Sequence, residues 1–449
     1  MHQLSVYARI GAAGLAAIMA AVLTPSAATA AEGREGARAE SPEERDRGDR
    51  SGPGLNRAAR IELKETGMLS YSGDFRPVSS EPFNEDWVKH TFDTDDGDGP
   101  ICIDGGEYSI FTRMADPKKL IFFTQGGGAC WQDFARCNRT AEAQFPPPVE
   151  FLSGIFAQSS PDGTVDNPFA DWSIVYLPYC DGSVFIGDND VEEADGSIRR
   201  HRGLRNLSAG MEVARLTFRR PEQVLLTGSS AGGVGASVFT PFLARFIWGN
   251  HIDLTVFNDA GPVALDTSLV DAAAARLRDW GFERFFPQSC VDQGLCDPLG
   301  QQTGLIQWRL QNDSTIREAF YETDGDLTNI GFASSNVPGN PAFFPISQFD
   351  YRQILDREHG AVNAAFPDRY KRFVVSGGNP LCFGFVAYTH TALQGGNLRS
   401  FGCPEEDIYF ELSADGVPLN QWTEDFIANS DGWVDIVEPF VPAPPLPQP

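Results

Sequence analysis

The segment Gly228-Ser229-Ser230-Ala231-Gly232, followed by Gly233, has the form G-x-S-x-G. A serine in that spacing is a candidate nucleophile. Glycines lack a Cβ, so a strand can turn sharply into a helix while neighbouring chain approaches closely. The flanks fit, with a short apolar strand over 223–227 and an apolar helix over 233–247. Such a turn exposes the Ser230 hydroxyl beyond the strand end. It also aims the N–H of Ala231 at the oxygen of a carbonyl under attack. A phosphate loop would use glycines in a similar way, but no Gly-Lys-Ser/Thr follows.

Acyl transfer needs a second N–H donor. Gln125-Gly126-Gly127-Gly128-Ala129-Cys130-Trp131 follows an early strand and has the form of an oxyanion loop. Gly126, Gly127 and Gly128 can turn their amides inward without side-chain obstruction. Trp131, at the end of the loop, is a candidate for substrate contact. Serine also needs a base. In the order Ser, acid, His, only His251, His359 and His390 follow Ser230. His251 comes too early and His359 ends a polar helix. His390 lies in a Gly- and aromatic-rich loop after the strand 372–376, where the base belongs. The acid must follow a strand between Ser230 and His390. Asp259, straight after the strand 254–257, and Asp350 both qualify, although Asp259 could equally form a turn.

The elements that would position these residues are apolar runs alternating with amphipathic stretches. Strands are expected at 120–123, 174–177, 223–227, 254–257 and 372–375. Helices are expected at 204–218, 233–247, 268–280, 351–358 and 419–428. Continuous apolar strands separated by helices predict an α/β fold of α/β-hydrolase-like type: a mainly parallel sheet flanked by helices, with long disulfide-stabilised loops. Acidic, Gly-rich stretches at 93–99 and 187–197 read as surface loops. Their spacing fails the EF-hand calcium pattern.

The first thirty residues have the parts of an export signal: Arg9, an apolar run from Ile10 to Leu23, and Ala28-Thr29-Ala30 as a cleavage site. No other stretch approaches membrane-spanning length, so no span remains after signal removal. Residues 31–60 read as a disordered leader, 61–440 as one catalytic domain and 441–449 as a Pro-rich tail. A net charge of −26 argues against nucleic acid as partner. Eight cysteines behind an export signal predict disulfides. Sequence does not fix the connectivity: the short loops Cys130 with Cys137 and Cys290 with Cys296 are the natural pairs, and Cys102 with Cys180 and Cys382 with Cys403 would complete the set. No spacing suits a metal, and no cofactor is implied.

These motifs resemble the pectin acetylesterase family, which includes the Notum carboxylesterases. The resemblance covers about 80 to 430. It rests on Gly126-Gly127-Gly128 with Cys130, on the block Cys180–Asp188, on Arg202-Gly203 and on Gly228–Gly233. Asp259-Ala260-Gly261 and Ser347-Gln348-Phe349-Asp350 complete it. The family implies an α/β-hydrolase-like fold and a Ser-Asp-His triad. Carried over, the triad is Ser230, Asp350 and His390, and Asp259 becomes structural. The implied oxyanion donors are Gly127, with Gly126 or Gly128 beside it, and Ala231. Gln125 stands where relatives usually have Glu, and Ala129 where they have Trp. The Cys-x-x-His-Cys signature is altered, with Cys382 eight residues before His390 and Thr391 after it.

The expected activity is a secreted or periplasmic serine carboxylesterase. It would remove acetyl or another short acyl group from a carbohydrate or related ester through an acyl-enzyme. The alternatives are a lipase-like fatty-acyl deacylase on the same triad, a peptidase, and a catalytically silent secreted binding protein.

Overall fold

All five expected strands lie within one ten-stranded sheet. The computed structural model describes residues 53–94, 97–132, 137, 146–147, 153–261, 270–297, 302–335, 346–377, 390–393 and 407–442. The stretch read as an export signal, Cys382, Cys403 and most of the stretch read as a Pro-rich tail lie outside the described residues.

The strands are β1 (Ser79–Pro82), β2 (Trp87–Thr91), β3 (Ser109–Arg113), β4 (Asp116–Thr124) and β5 (Trp172–Leu177). After a hairpin of β6 (Asn189–Glu192) and β7 (Ile198–His201) come β8 (Gln223–Ser229), β9 (Asp253–Asp259), β10 (Arg317–Thr323) and β11 (Tyr370–Val375). Short β12 (Ser413–Ala414) and β13 (Val417–Pro418) pair together, and β14 (Ile436–Val437) closes the edge. The order is β1-β2-β3-β5-β4-β8-β9-β10-β11-β14. Pairing is antiparallel from β1 through β3 to β5 and parallel from β5 to β14.

The central strands are buried on both faces, which is why they read as unbroken apolar runs. Leu120, Phe122, Val224, Leu226, Leu254 and Val256 face one core, with the helices Gly203–Thr217 and Thr240–Trp248. Ile121, Phe123, Leu225, Phe257, Tyr321 and Phe373 face the other, against Trp422 and Phe426 of the helix Leu419–Ala428. Truncating any of the buried leucines to Ala is expected to cost about 2–5 kcal/mol.

The structure corrects the sequence reading in several places. Helix Arg57–Glu65 begins inside the stretch read as a disordered leader. Asn56 caps it, and Leu55, Ala59 and Leu63 are buried in the main core. The helix expected over 233–247 is two, Ala231–Ser237 and Thr240–Trp248, with Pro241 in the first turn of the second. The stretch 187–197, read as a loop, forms most of the β6–β7 hairpin, and Asp188 before it is buried among Tyr71, Arg205 and Arg284.

The largest omission is β10. Its charged residues suggest a surface segment, yet Glu318 and Glu322 are buried. Glu318 takes a two-pronged bond from Arg309, whose Nε and Nη2 each donate at 2.7 Å. Arg309 also donates to the carbonyls of Ser237 and Val238. Such a pair is tolerated inside because every charged atom has a partner.

The bridges Cys102–Cys180, Cys130–Cys137 and Cys290–Cys296 are formed as expected. The first closes a separation of 78 residues, the type of loop for which a crosslink removes most entropy from the unfolded chain.

Candidate active site

Ser230 sits between the end of β8 and helix Ala231–Ser237, with φ 58° and ψ −120°. This conformation is costly for a residue with a Cβ and persists only where its surroundings impose it. They do so here. The Ser230 amide donates to the carbonyl of Asp259 at 2.7 Å. The Thr124 hydroxyl donates to the carbonyl of Gly232 at 2.6 Å. A Cβ on Gly228 or Gly232 would lie 2.4 or 2.0 Å from the Thr124 carbonyl oxygen, so both positions must be glycine for the elbow to seat on β4.

His390 reaches this serine across the chain. The Ser230 hydroxyl donates to His390 Nε2 at 2.7 Å. On its other side His390 Nδ1–H donates to Oδ2 of Asp326 at 2.6 Å. Asp326 is fully buried, just past the end of β10 in the turn Thr323-Asp324-Gly325-Asp326. Its carboxylate also accepts from the Asn329 backbone at 2.9 Å and side chain at 2.7 Å. The turn is anchored by Asp324, which accepts from Arg352 at 2.8 Å, Ser376 Oγ at 2.7 Å and the Gly377 amide at 3.0 Å.

Burial alone would keep His390 neutral, but the charge and hydrogen bond of Asp326, with Asp259 behind, raise its pKa. Glu322 neighbours this carboxylate. Burial first, then the charge of Asp326, push Glu322 well above the usual carboxylate range.

The acid expected at Asp350 is thus corrected. Asp350 lies in the exposed first turn of helix Gln348–Ala365, in a capping box with Ser347. Its backbone amide donates to Ser347 Oγ at 3.1 Å, and its carboxylate accepts from that hydroxyl at 2.7 Å. The spacing Ser347…Asp350 is a helix-start signal, which accounts for the position without catalysis. The charged residues of β10 hide the strand that Asp326 follows. The apolar core Ala319-Phe320-Tyr321 ahead of Asp324-Gly325-Asp326 was the available signal.

His359 lies inside that helix rather than at its end. It is fully buried, stacked on Phe320 with centroids 3.6 Å apart, and paired with Tyr370 Oη at 2.6 Å. Trp131, a candidate for substrate contact, is also buried. It packs edge-on against Trp280, which donates its indole N–H to the Cys130 carbonyl at 2.8 Å. It belongs to the core under the loop.

The glycine loop after β4 lies against the serine. A Cβ on Gly126 would fall 2.7 Å from the Ser229 carbonyl and 3.3 Å from Ser230 Cβ. Tyr179 holds the loop. Its ring covers Gly127 so closely that a Cβ there would lie 1.8 Å from Cδ1. Its hydroxyl donates to the Gly128 carbonyl at 2.7 Å, and its amide donates to Gln125 Oε1 at 3.0 Å. The Val184 amide closes the link by donating to the Tyr179 hydroxyl at 3.0 Å. Cys180, next in sequence, is crosslinked to Cys102. Among the described residues, no group of three His, Cys, Asp or Glu side chains is arranged to hold a metal ion.

A mainly parallel sheet with the serine at a strand–helix elbow defines an α/β-hydrolase-like protein. Comparison with known proteins narrows this. Residues 84–285 match the family model described as Pectinacetylesterase. A segment of 147 residues is 27% identical to Palmitoleoyl-protein carboxylesterase NOTUM of Schmidtea mediterranea, covering 30% of this chain and 26% of that protein. Pectin acetylesterase 5 of Arabidopsis thaliana is 27% identical over 146 residues, covering 31% of this chain and 34% of the relative. The matches thus span 26% to 34% of these relatives' length. The fold is similar to that of the Wnt deacylase Notum from Drosophila, with a TM-score of 0.52 at 16% identity, over 76% of this chain and 94% of that one. These matches support a relationship to the pectin acetylesterase and Notum-like family.

Proposed function

We propose that the protein is a secreted serine carboxylesterase that cleaves acyl esters of a carbohydrate or related alcohol, with Ser230, His390 and Asp326 as its triad. The observation that carries this reading is the continuous line Asp326–His390–Ser230, with hydrogen bonds of 2.6 and 2.7 Å. It arises on a strained strand–helix elbow, where such lines do acyl chemistry.

In the proposed reaction Ser230 Oγ attacks the ester carbonyl carbon while His390 Nε2 takes its proton. Asp326 stabilises the imidazolium and keeps Nδ1 protonated. The carbonyl π pair moves onto oxygen, facing the N–H groups of Ala231 and of Gly127, with Gly126 or Gly128 beside it. Collapse breaks the bond to the alcohol oxygen, which leaves with the proton from Nε2. Water, deprotonated by the same nitrogen, then releases the acid and restores Ser230.

The similarity to this family supports ester cleavage. The export-like N-terminus and the bridges support an oxidising compartment. Among the described residues no helix is long and apolar enough to cross a membrane. The similarity to a palmitoleoyl-protein carboxylesterase favours a second reading, removal of a long acyl chain.

The test is hydrolysis of p-nitrophenyl esters from acetyl to palmitoyl by wild type and Ser230→Ala. Turnover that disappears in the variant supports the reading, and the chain-length optimum chooses between short and long acyl groups. Turnover that persists in Ser230→Ala removes the proposed nucleophile.

A further inference from the structure

Asp259 is a second carboxylate near His390, and it does not contact the imidazole nitrogens described above. It is fully buried at the end of β9. Three donors converge on it. Ser229 Oγ donates to Oδ2 at 2.6 Å, the Ala392 amide to Oδ1 at 2.8 Å and the Leu393 amide to Oδ2 at 2.9 Å. Its own carbonyl accepts the Ser230 amide at 2.7 Å. One residue therefore grips the elbow on both sides of the nucleophile's N–H and the chain just after the base.

This grip joins parts that the sequence separates widely, since Ser230 and His390 are 160 positions apart. Secondary structure does not supply the link, because residues 390–393 belong to no helix or strand. Leu393 is buried and its carbonyl accepts the Ile155 amide at 2.9 Å, which fixes the far end of the segment. The near end, two residues from the imidazole, is tied through Asp259. A carboxylate suits the task because it is acceptor-only and can take all three donors without presenting an N–H or O–H of its own.

We infer that Asp259 is a positioning residue of the esterase, a staple that sets the Ser230–His390 distance by binding the elbow and the His390 segment through one carboxylate. The inference rests on the proposed triad. A shift of about an ångström between nucleophile and base is enough to lose much of the rate while substrate binding persists.

Asp259→Asn is the direct test. The amide keeps the volume but must turn an N–H toward a backbone N–H or toward the Ser229 hydroxyl. Active sites are counted by end-point labelling with a fluorophosphonate, and kcat and KM are measured on the best p-nitrophenyl ester. The staple predicts kcat per labelled site about 10- to 100-fold below wild type, with KM within about 2-fold. It also predicts slower labelling. Ser229→Ala, which removes one donor and leaves the carboxylate, reads the same effect if Asp259→Asn does not fold. Its kcat per labelled site should fall about 3- to 10-fold. Unchanged kcat per labelled site in either folded variant would overturn the staple, whatever happens to thermal stability. Wild type that is hydrolytically active but not labelled at Ser230 would instead overturn the triad on which the inference rests.

Discussion

His390 Nδ1 lies 2.6 Å from Asp326 Oδ2, whereas Asp350 is bound to Ser347 at the start of a helix. The two aspartates therefore give opposite expectations. Asp326→Asn should lower kcat by up to about 10,000-fold, because an amide at Nδ1 favours the wrong imidazole tautomer. Asp350→Asn should leave kcat within about 2-fold, since it alters only a surface helix cap. Ester turnover of the two purified variants decides between them. A large loss in Asp350→Asn with an active Asp326→Asn would reverse the assignment.

The proposed base works only while the imidazole is neutral. The pKa of His390 is raised from 6.5, with Asp326 overcoming the effect of burial. Activity should therefore rise with pH through a midpoint above 6.5. Residual activity of Asp326→Asn should rise through a lower midpoint, because the attracting charge is gone. Profiles of kcat/KM from pH 5 to 9 test both statements, and a flat profile contradicts them.

His359 should behave as a stability group. Burial first, and then the charge of Arg372, lower its pKa to about 3. Below the ordinary value of 6.5 the unfolded chain takes up a proton that the folded chain refuses. Stability is therefore lost as pH falls from that value, by up to about 1.4 kcal/mol per pH unit for this residue. His359→Phe keeps a ring against Phe320 but leaves Tyr370 Oη unpaired. It should cost about 1–3 kcal/mol at pH 7 and show a weaker loss between pH 7 and 5. Urea unfolding at the two pH values measures this, while kcat per active site should stay within about 2-fold. Equal acid sensitivity in both proteins would contradict it.

Tyr179 should matter through the loop it covers. Tyr179→Phe keeps the ring over Gly127 but frees the Gly128 carbonyl and the Val184 amide. A fall in kcat of about 10-fold with little change in KM is expected, a fraction of what deleting an oxyanion donor costs. Gly127→Ala should be far worse, because its Cβ would collide with the Tyr179 ring at 1.8 Å. Adding Tyr179→Ala to Gly127→Ala should restore part of the lost rate if the collision is the cause. Steady-state kinetics of the single and double variants show whether it does.

The sequence alone determined the parts whose chemistry is local. Ser230 was readable because the elbow is one strand, one turn and one helix in succession, with glycines wherever Thr124 crowds the backbone. The glycine loop after β4, the central parallel strands and the two short bridges Cys130–Cys137 and Cys290–Cys296 were readable for similar reasons: runs of one character or short spacings. His390 followed from chain order.

The tertiary structure decided what depends on partners distant in sequence. Strand β10 carries charges that look solvent-facing until Arg309 meets Glu318 and until Tyr351 and Asn329 meet Glu322. With β10 hidden, the turn carrying Asp326 had no strand before it, and the family resemblance pointed to Asp350 instead. A hydrogen-bond line across three loops is a property of where strand ends converge. It is set by packing on both sheet faces, and local pattern carries no record of it.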